Sequence, residues 1–290
     1  MERIGTAVEF FKQQMRRRAD GTTDGDRVNP SPPLRPLGGS TEAVDAPAPD
    51  ASMPGSSTGR RRDTAEPIVY TRTRSVEVPL ATLKAHRVLT AFGEEPLAHT
   101  YRTLCAQLLR QMDDKGWNVL GVTGPGRGVG KTLTAVNLAV SLAMESHYTV
   151  LLVDGDLHHP GVQHLLGLEE AQGLADHLLH GAPVEELLVH PGIRRLTVLP
   201  AGRRLASPAG LLGSARMHAL ASELKCRYPS RMIVYDLPSL HRAADMLAFS
   251  SCLDAVLMVV EAGRTTTEEV EHAARLLNGL PLIGTVLNKG

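Results

Sequence analysis

Val119-Leu-Gly-Val-Thr-Gly-Pro-Gly-Arg-Gly-Val-Gly-Lys-Thr132 is the stretch whose reading decides the fold. An apolar run ends in a glycine-rich turn, and Gly-Lys-Thr opens a long helical pattern over 130–146. Strand, glycine turn and helix in that order make a phosphate-binding loop. The glycines let the backbone wrap a phosphate chain with its N–H groups pointing inward. The dipole of the following helix adds partial positive charge at the same place. Gly124, Gly126, Arg127, Gly128, Val129, Gly130, Lys131, Thr132 and Leu133 are the residues this reading puts around the phosphates. Lys131 bridges the outer phosphates and the Thr132 hydroxyl ligates Mg2+. One position departs from the strict G-x-x-x-x-G-K-T spacing: Pro125 stands where glycine is asked for, with Gly124 one place earlier.

Working outward, strand patterns alternate with helix patterns from Trp117 onward. Strands are expected at 117–123, 149–153, 195–200, 231–236, 254–260 and 281–287. Helices are expected at 130–146, 173–190 with a break at Pro183, 210–228, 241–250 and 265–278. A further helix is expected over 94–112, where Leu97, Tyr101, Leu104, Leu108 and Met112 share a face. Runs such as Val150-Leu-Leu-Val and Ala255-Val-Leu-Met-Val-Val are apolar throughout. Strands buried on both faces have that composition. The expected class is therefore α/β, a mostly parallel sheet with helices on both faces.

In such sheets ligands sit beyond the carboxyl ends of the strands. Val150-Leu-Leu-Val-Asp154-Gly-Asp156 and Met232-Ile-Val-Tyr-Asp236 each carry acid at a strand end. Mg2+ is a hard ion that keeps water and takes one or two carboxylates plus phosphate oxygens. Asp236 suits that shell. Asp154 or Asp156 suits a proton acceptor toward an attacking hydroxyl or water. A single Asp there would read as a turn or helix cap. Three in this order after a phosphate loop favour the nucleotide reading, with ATP and Mg2+ as the ligands.

The rest of the chain is of other kinds. Residues 1–18 read as a basic amphipathic helix, with Ile4, Ala7, Val8, Phe11 and Met15 on one face and Arg16, Arg17 and Arg18 following. Such a helix fits an anionic membrane or a partner's groove, and equally a solvated helix end. Residues 19–66, rich in Pro, Gly, Ser and Asp, bury too little to offset their ordering entropy and read as a disordered linker. Residues 67–116 regain apolar content and read as a docking segment plus the helix before the loop. The domain proper is 117–290. With 31 basic and 31 acidic residues the formal net charge is zero, so nucleic acid is not an expected partner. Cys105, Cys226 and Cys252 are far apart and match no metal spacing. No apolar run reaches bilayer length. A cytoplasmic protein is expected, reaching a membrane only through a partner or an amphipathic segment.

Residues 119–290 resemble the bacterial tyrosine kinase family that controls capsule and exopolysaccharide synthesis, especially its exosortase-associated group. The phosphate loop with Asn137-Leu-Ala is similar to the family's first nucleotide motif. Leu151-Leu-Val-Asp-Gly-Asp-Leu-His-His-Pro160 resembles its second, and Ile233-Val-Tyr-Asp-Leu-Pro its third. Gly173-Leu-Ala-Asp-His-Leu-Leu, Leu199-Pro-Ala-Gly and Ser207-Pro-Ala-Gly-Leu-Leu resemble its intervening signatures. The resemblance implies a P-loop fold related to the ATPases that position division sites and segregate plasmids. Those carry an extra loop lysine where Gly126 stands here, so a cargo-positioning ATPase is less favoured. It implies that Lys131, Asp154 and Asp156 are catalytic, with Asp154 as base toward a tyrosine hydroxyl. It implies that Thr132, Asp154 and Asp236 serve the metal, and that Asn288, just after the last strand, contacts the nucleotide base. It further implies an inner-membrane polysaccharide chain-length or export protein as partner, and homo-oligomers.

Three features depart from the family's pattern. The tyrosines Tyr70, Tyr101, Tyr148, Tyr228 and Tyr235 are scattered rather than clustered in a tail. Of the family's Glu-x-x-Arg-x-x-Arg helix motif only Arg102 stands here. His158 and His159 occupy a usually basic place, read as a weakly basic turn near phosphate rather than a metal site. The alternative function is an ATPase switch without kinase chemistry, acting on a membrane partner.

Overall fold

The computed structural model describes residues 73–88, 96–145, 147–227 and 230–289. The expectations for 1–18 and 19–66 lie outside the described residues. The chain opens with β1 (Arg74–Ser75), α1 (Leu80–Ala85) and α2 (Pro96–Asp113). Then come β2 (Val119–Thr123), α3 (Lys131–Glu145), β3 (Thr149–Asp154), α4 (Val162–Leu165), α5 (Leu174–His180) and α6 (Val184–Leu187). Next are β4 (Val189–His190), β5 (Leu196–Leu199), α7 (Ala209–Leu212), α8 (Ala215–Arg227) and β6 (Arg231–Asp236). The last are α9 (Ala243–Phe249), β7 (Ala255–Glu261), α10 (Thr267–Leu276) and β8 (Leu282–Asn288).

The strands form one eight-stranded sheet in the order β1-β4-β5-β3-β6-β2-β7-β8. Every neighbouring pair is parallel except β4 with β5. The chain leaves β2 toward β3 and β5 on one side, returns through β6, and crosses to β7 and β8 on the other. The crevice beyond the carboxyl ends therefore opens at β2, the position that binds ligands in open α/β sheets.

Strands β2, β3, β6 and β7 are buried along almost their whole length. Side chains alternate between the two faces of a strand. On one face Leu120, Val122, Val150, Leu152, Val234 and Leu257 pack into a cluster with Leu108 and Met112 of α2 and Leu138 and Leu142 of α3. On the other, Tyr235 meets Phe249 of α9 edge to face, with ring centroids 4.7 Å apart. This double cover is why the strands read as unbroken apolar runs.

Two expected helices divide. The 173–190 pattern ends at Gly181, which takes φ 74° at the end of α5. Pro183 then starts the single turn of α6, and 189–190 joins the sheet as a short strand that the pattern did not announce. The 210–228 pattern breaks at Gly213, which passes Ala248 of α9 so closely that an added Cβ would lie 3.3 Å from the alanine Cβ. Ser214 restarts the helix by accepting the Met217 N–H at 3.2 Å. The 241–250 pattern begins as a 3-10 turn over Leu240–Arg242 before α9.

The segment before α2 packs as part of the core. Leu83 and Val88 are buried in the same apolar cluster as the sheet. Val76 donates its N–H to His190 O at 2.8 Å, and the Asn137 amide of α3 donates to Arg87 O at 3.1 Å. Arg102 of α2 pairs with Glu145 of α3 at 2.9 Å. Among the described residues no helix is long and apolar enough to cross a membrane. Leu83 is 1% exposed, so Leu83→Ala is expected to destabilise the protein by about 2–5 kcal/mol in urea unfolding. A merely adherent segment would give a change near zero.

Candidate functional site

Parallel pairing brings the functional strand ends to one rim. Asp154 and Asp236 are the last residues of β3 and β6 and are direct register partners. Val122, one residue before the end of β2, is the partner of Asp236 on the other side. The turn that follows β2 is therefore delivered to the carboxylates by sheet register alone. Thr123 anchors it by donating its hydroxyl to Pro238 O at 2.7 Å, and Leu240 N donates to Gly124 O at 2.9 Å.

The loop's glycines have separate reasons. A Cβ on Gly124 would lie 2.4 Å from Val259 O, so only glycine passes β7 at that point. Gly130 takes φ 96°, and a Cβ there would lie 2.0 Å from the Asn288 amide nitrogen. Gly126 has open space around it and Arg127 is exposed at the tip. Pro125 fits because its place in the loop asks for no N–H; its carbonyl accepts from His241 N at 3.1 Å.

Asn288 is the last residue of β8 rather than the residue after it. Its amide donates to Val129 O at 2.9 Å, and Lys289 donates to Gly128 O at 2.8 Å. Both clamp the loop's carbonyls outward, which leaves its N–H groups for the other side. Lys289 was invisible as a site residue in sequence, because a lysine after a strand carries no distinguishing spacing.

Lys131 is buried as the first residue of α3, with Thr132 and Leu133 half-buried beside it. Gly128, Gly130, Lys131, Thr132, Gly161 and His164 line a cavity of about 300 Å3. Gly161 and His164 also escaped the sequence reading. The signal was Pro160-Gly161 right after the second acidic motif, a turn that starts α4. Gly161 and Val162 donate their N–H groups to Asp154 Oδ2, each at 3.0 Å.

Asp154 and Asp236 are completely buried and Asp156 nearly so. Burial pushes the Asp154 pKa up to about 7, with the Gly161 and Val162 amides holding it back and Asp156 adding to the rise. Burial, then the Asp154 charge, hold Asp236 well above the usual carboxylate range; Lys131 and the Thr132 hydroxyl pull the other way. Both Asp236 oxygens and Asp154 Oδ1 are buried without a partner of good hydrogen-bond geometry. Unsatisfied carboxylate oxygens beside a hydroxyl and a buried ammonium are the chemistry of a hard-cation site. Among the described residues no three His, Cys, Asp or Glu side chains form a complete metal cage. A cation here would complete its shell with phosphate oxygens and water.

The two histidines after these acids correct the simple reading of a basic turn. His158 is buried, and its Nε2 lies 3.0 Å from Asp245 Oδ2 of α9. It ties the second acidic loop to the helix after the third. His159 remains half-buried near Asp156, which accepts its backbone N–H at 3.0 Å.

Comparisons with known proteins give the family and the fold. A family profile described as the CobQ/CobB/MinD/ParA nucleotide binding domain matches residues 120–290. The tyrosine-protein kinase YwqD of Bacillus subtilis is 31% identical over 190 residues, 65% of this chain and 79% of that protein. Among solved structures, the chimerical protein CapA2B2 superposes with a TM-score of 0.65 at 25% identity, covering 75% of this chain and 93% of that one. The VpsO kinase domain does so with a TM-score of 0.59 at 27% identity, covering 73% and 97%.

The raised carboxyl pKa values make a pH prediction for the nucleotide-free protein. Between about pH 4 and 7 the folded Asp154 keeps its proton while the unfolded one loses it, so stability falls as pH rises through that window. Asp154→Asn is expected to be more stable than wild type at pH 8, with the gap closing toward pH 4. Urea midpoints across that range check the sign.

Proposed function

The chain belongs to the CobQ/CobB/MinD/ParA nucleotide-binding family and, within it, to the bacterial tyrosine-protein kinases, and from that premise we propose that it transfers the γ-phosphoryl group of ATP to a tyrosine hydroxyl. The process served is capsule or exopolysaccharide synthesis and export. The observation that carries the reading is the convergence of a glycine loop, a buried lysine and unsatisfied carboxylates on one sheet rim.

In this reading the amides of Gly124 and of Gly126 to Thr132 cradle the phosphates, and Lys131 neutralises charge on the transferring group. Thr132 and Asp236 hold Mg2+, with Asp154 beside them, and the ion supplies charge neutralisation and alignment of the phosphate oxygens. Asn288 stands between the loop and the nucleotide base. The tyrosine oxygen forms a bond to the γ-phosphorus as the bond to the bridging oxygen breaks. That electron pair leaves with ADP, and the hydroxyl proton passes to Asp154, with Asp156 assisting. Asp154 Oδ2 accepts the Gly161 and Val162 N–H groups, which leaves Oδ1 for that proton. Catalysis rests on position and charge, because phosphoryl transfer asks for little else.

The acceptor tyrosine comes from outside the described core. Tyr101 and Tyr235 are buried, and Tyr148 donates its hydroxyl to Asp113 at 2.8 Å. Recruitment to the inner membrane runs through a polysaccharide chain-length or export protein, and the chain works in the cytoplasm, as a homo-oligomer.

Incubation with labelled ATP and Mg2+ followed by mass spectrometry tests the reading. Phosphotyrosine should form on the protein or on an added tyrosine peptide. Lys131→Met should lower that transfer by roughly 10²–10³-fold, as loss of one charge-stabilising donor does. Phosphate release with no label on tyrosine would replace the kinase with an ATPase switch.

A further inference from the structure

A second cavity, of about 850 Å3, opens beside the phosphate cavity. The two share His164 of α4 as a wall. The larger one is lined by Pro160, at the end of the second acidic motif, and by Gln163, Asp176, Arg203 and Arg204. Its size falls within the range of roughly 300–1,000 Å3 that suits a bound ligand or a short peptide. It meets the phosphate cavity at His164 and the end of the second acidic motif at Pro160.

The charges around this opening are unequal. Asp176 is spent on Arg203, whose Nη2 lies 3.0 Å from Asp176 Oδ1, and on the Gly173 N–H at 2.9 Å. Arg204 reaches instead toward the rim, with Nη2 3.4 Å from His159 Nε2. Arg242 comes from the far side, with Nη1 3.2 Å from His158 Nε2. Arg127, exposed at the tip of the phosphate loop, also lies close to His159. Burial and then Arg127 lower the His159 pKa, Asp156 opposes them, and Arg204 and Arg242 add to the fall. The imidazole is thus neutral at pH 7, and the positive field here belongs to three arginines from three loops. Arg127, Arg204 and Arg242 are all exposed. Asp156 and Asp245, both buried, face this group, and the exposed Glu170 shares the cavity wall with Arg204. An incoming chain therefore meets three exposed guanidinium groups against one exposed carboxylate.

We infer that the larger cavity holds the phosphoacceptor segment of a polypeptide, and that Arg204, with Arg242 and Arg127 beside it, selects a tyrosine flanked by anionic side chains. The inference rests on the kinase reading for the identity of the tyrosine. It adds the substrate class: an acidic segment, its negative charge supplied by carboxylates or by neighbouring phosphotyrosines. Guanidinium groups recognise both through paired N–H donors. Arg204 is a specificity residue here. It touches the flanks of the acceptor and takes no part in the transfer.

The test uses the full chain with Mg2+ and a non-hydrolysable ATP analogue, and fluorescent peptides carrying one tyrosine flanked by glutamates, by phosphotyrosines or by lysines. The first two are expected to bind at least about tenfold more tightly than the third, since like charges placed together are strongly disfavoured. Arg204→Glu should reverse that order and leave affinity for the ATP analogue unchanged; this also shows that the variant folds. Comparing the glutamate and phosphotyrosine arms tells which anion the collar prefers. Equal binding of all three peptides, no binding of any, or an acidic preference that survives Arg204→Glu overturns the inference. Labelled ATP then separates the two claims. Transfer without charge preference keeps the kinase and removes the acidic subsite. Acidic binding that depends on Arg204, with no transfer to any peptide, keeps the subsite and removes the kinase.

Discussion

Two carboxylates that sit side by side in a dry place are the constraint on which the rest of this structure turns. Asp154 and Asp236 end adjacent parallel strands in register and are completely buried. Burial and mutual repulsion both disfavour their charged forms. A core selected for stability alone would place apolar side chains there. The pair makes sense as half of a site whose other half is cationic: Lys131, the Thr132 hydroxyl and a metal ion that arrives with phosphate.

The remainder of the rim holds those groups still. Lys131 cannot leave, because it begins a helix whose next dozen residues are nearly all buried. Asp154 is fixed from the opposite side by two amides at the start of α4. Those amides belong to a loop that the segment before α2 supports: His86 stacks on His164 with ring centroids 4.7 Å apart, and its Nδ1 meets Leu165 O at 3.1 Å. Asn288 and Lys289 brace the glycine loop from the last strand. Two stretches, 128–133 and 161–165, line the space of about 300 Å3, and the others hold those two in place. Preorganisation of this kind lets electrostatics act on a transition state without rearrangement during the reaction.

Much of this was legible in advance, for identifiable reasons. Strands buried on both faces leave continuous apolar runs, so β2, β3, β5, β6 and β7 could be placed to within a residue or two. The glycine loop and the acids at strand ends were legible because their chemistry demands fixed residue types at fixed distances. Short elements were not. The two-residue strands β1 and β4 contain too few residues to show a period, and they exist because edge backbone finds a partner in the folded sheet. The break in the 210–228 helix was hidden because a single Gly-Ser is tolerated in a helical pattern. The break is imposed by the close pass of α9.

The sequence by itself determined the class of fold, the phosphate loop and the set of acids available to it, since periodicity and motif spacing are local properties. Only the tertiary structure decided which groups share a dielectric. It buried His158 against Asp245, turned Asn288 and Lys289 into braces for a loop more than 150 positions earlier, and gathered Arg127, Arg204 and Arg242 around His158 and His159. Each of those outcomes depends on strand order and on distances between segments remote in the chain. Strand pairing sets those distances, because side chains meet across a rim only after the strands that carry them have paired.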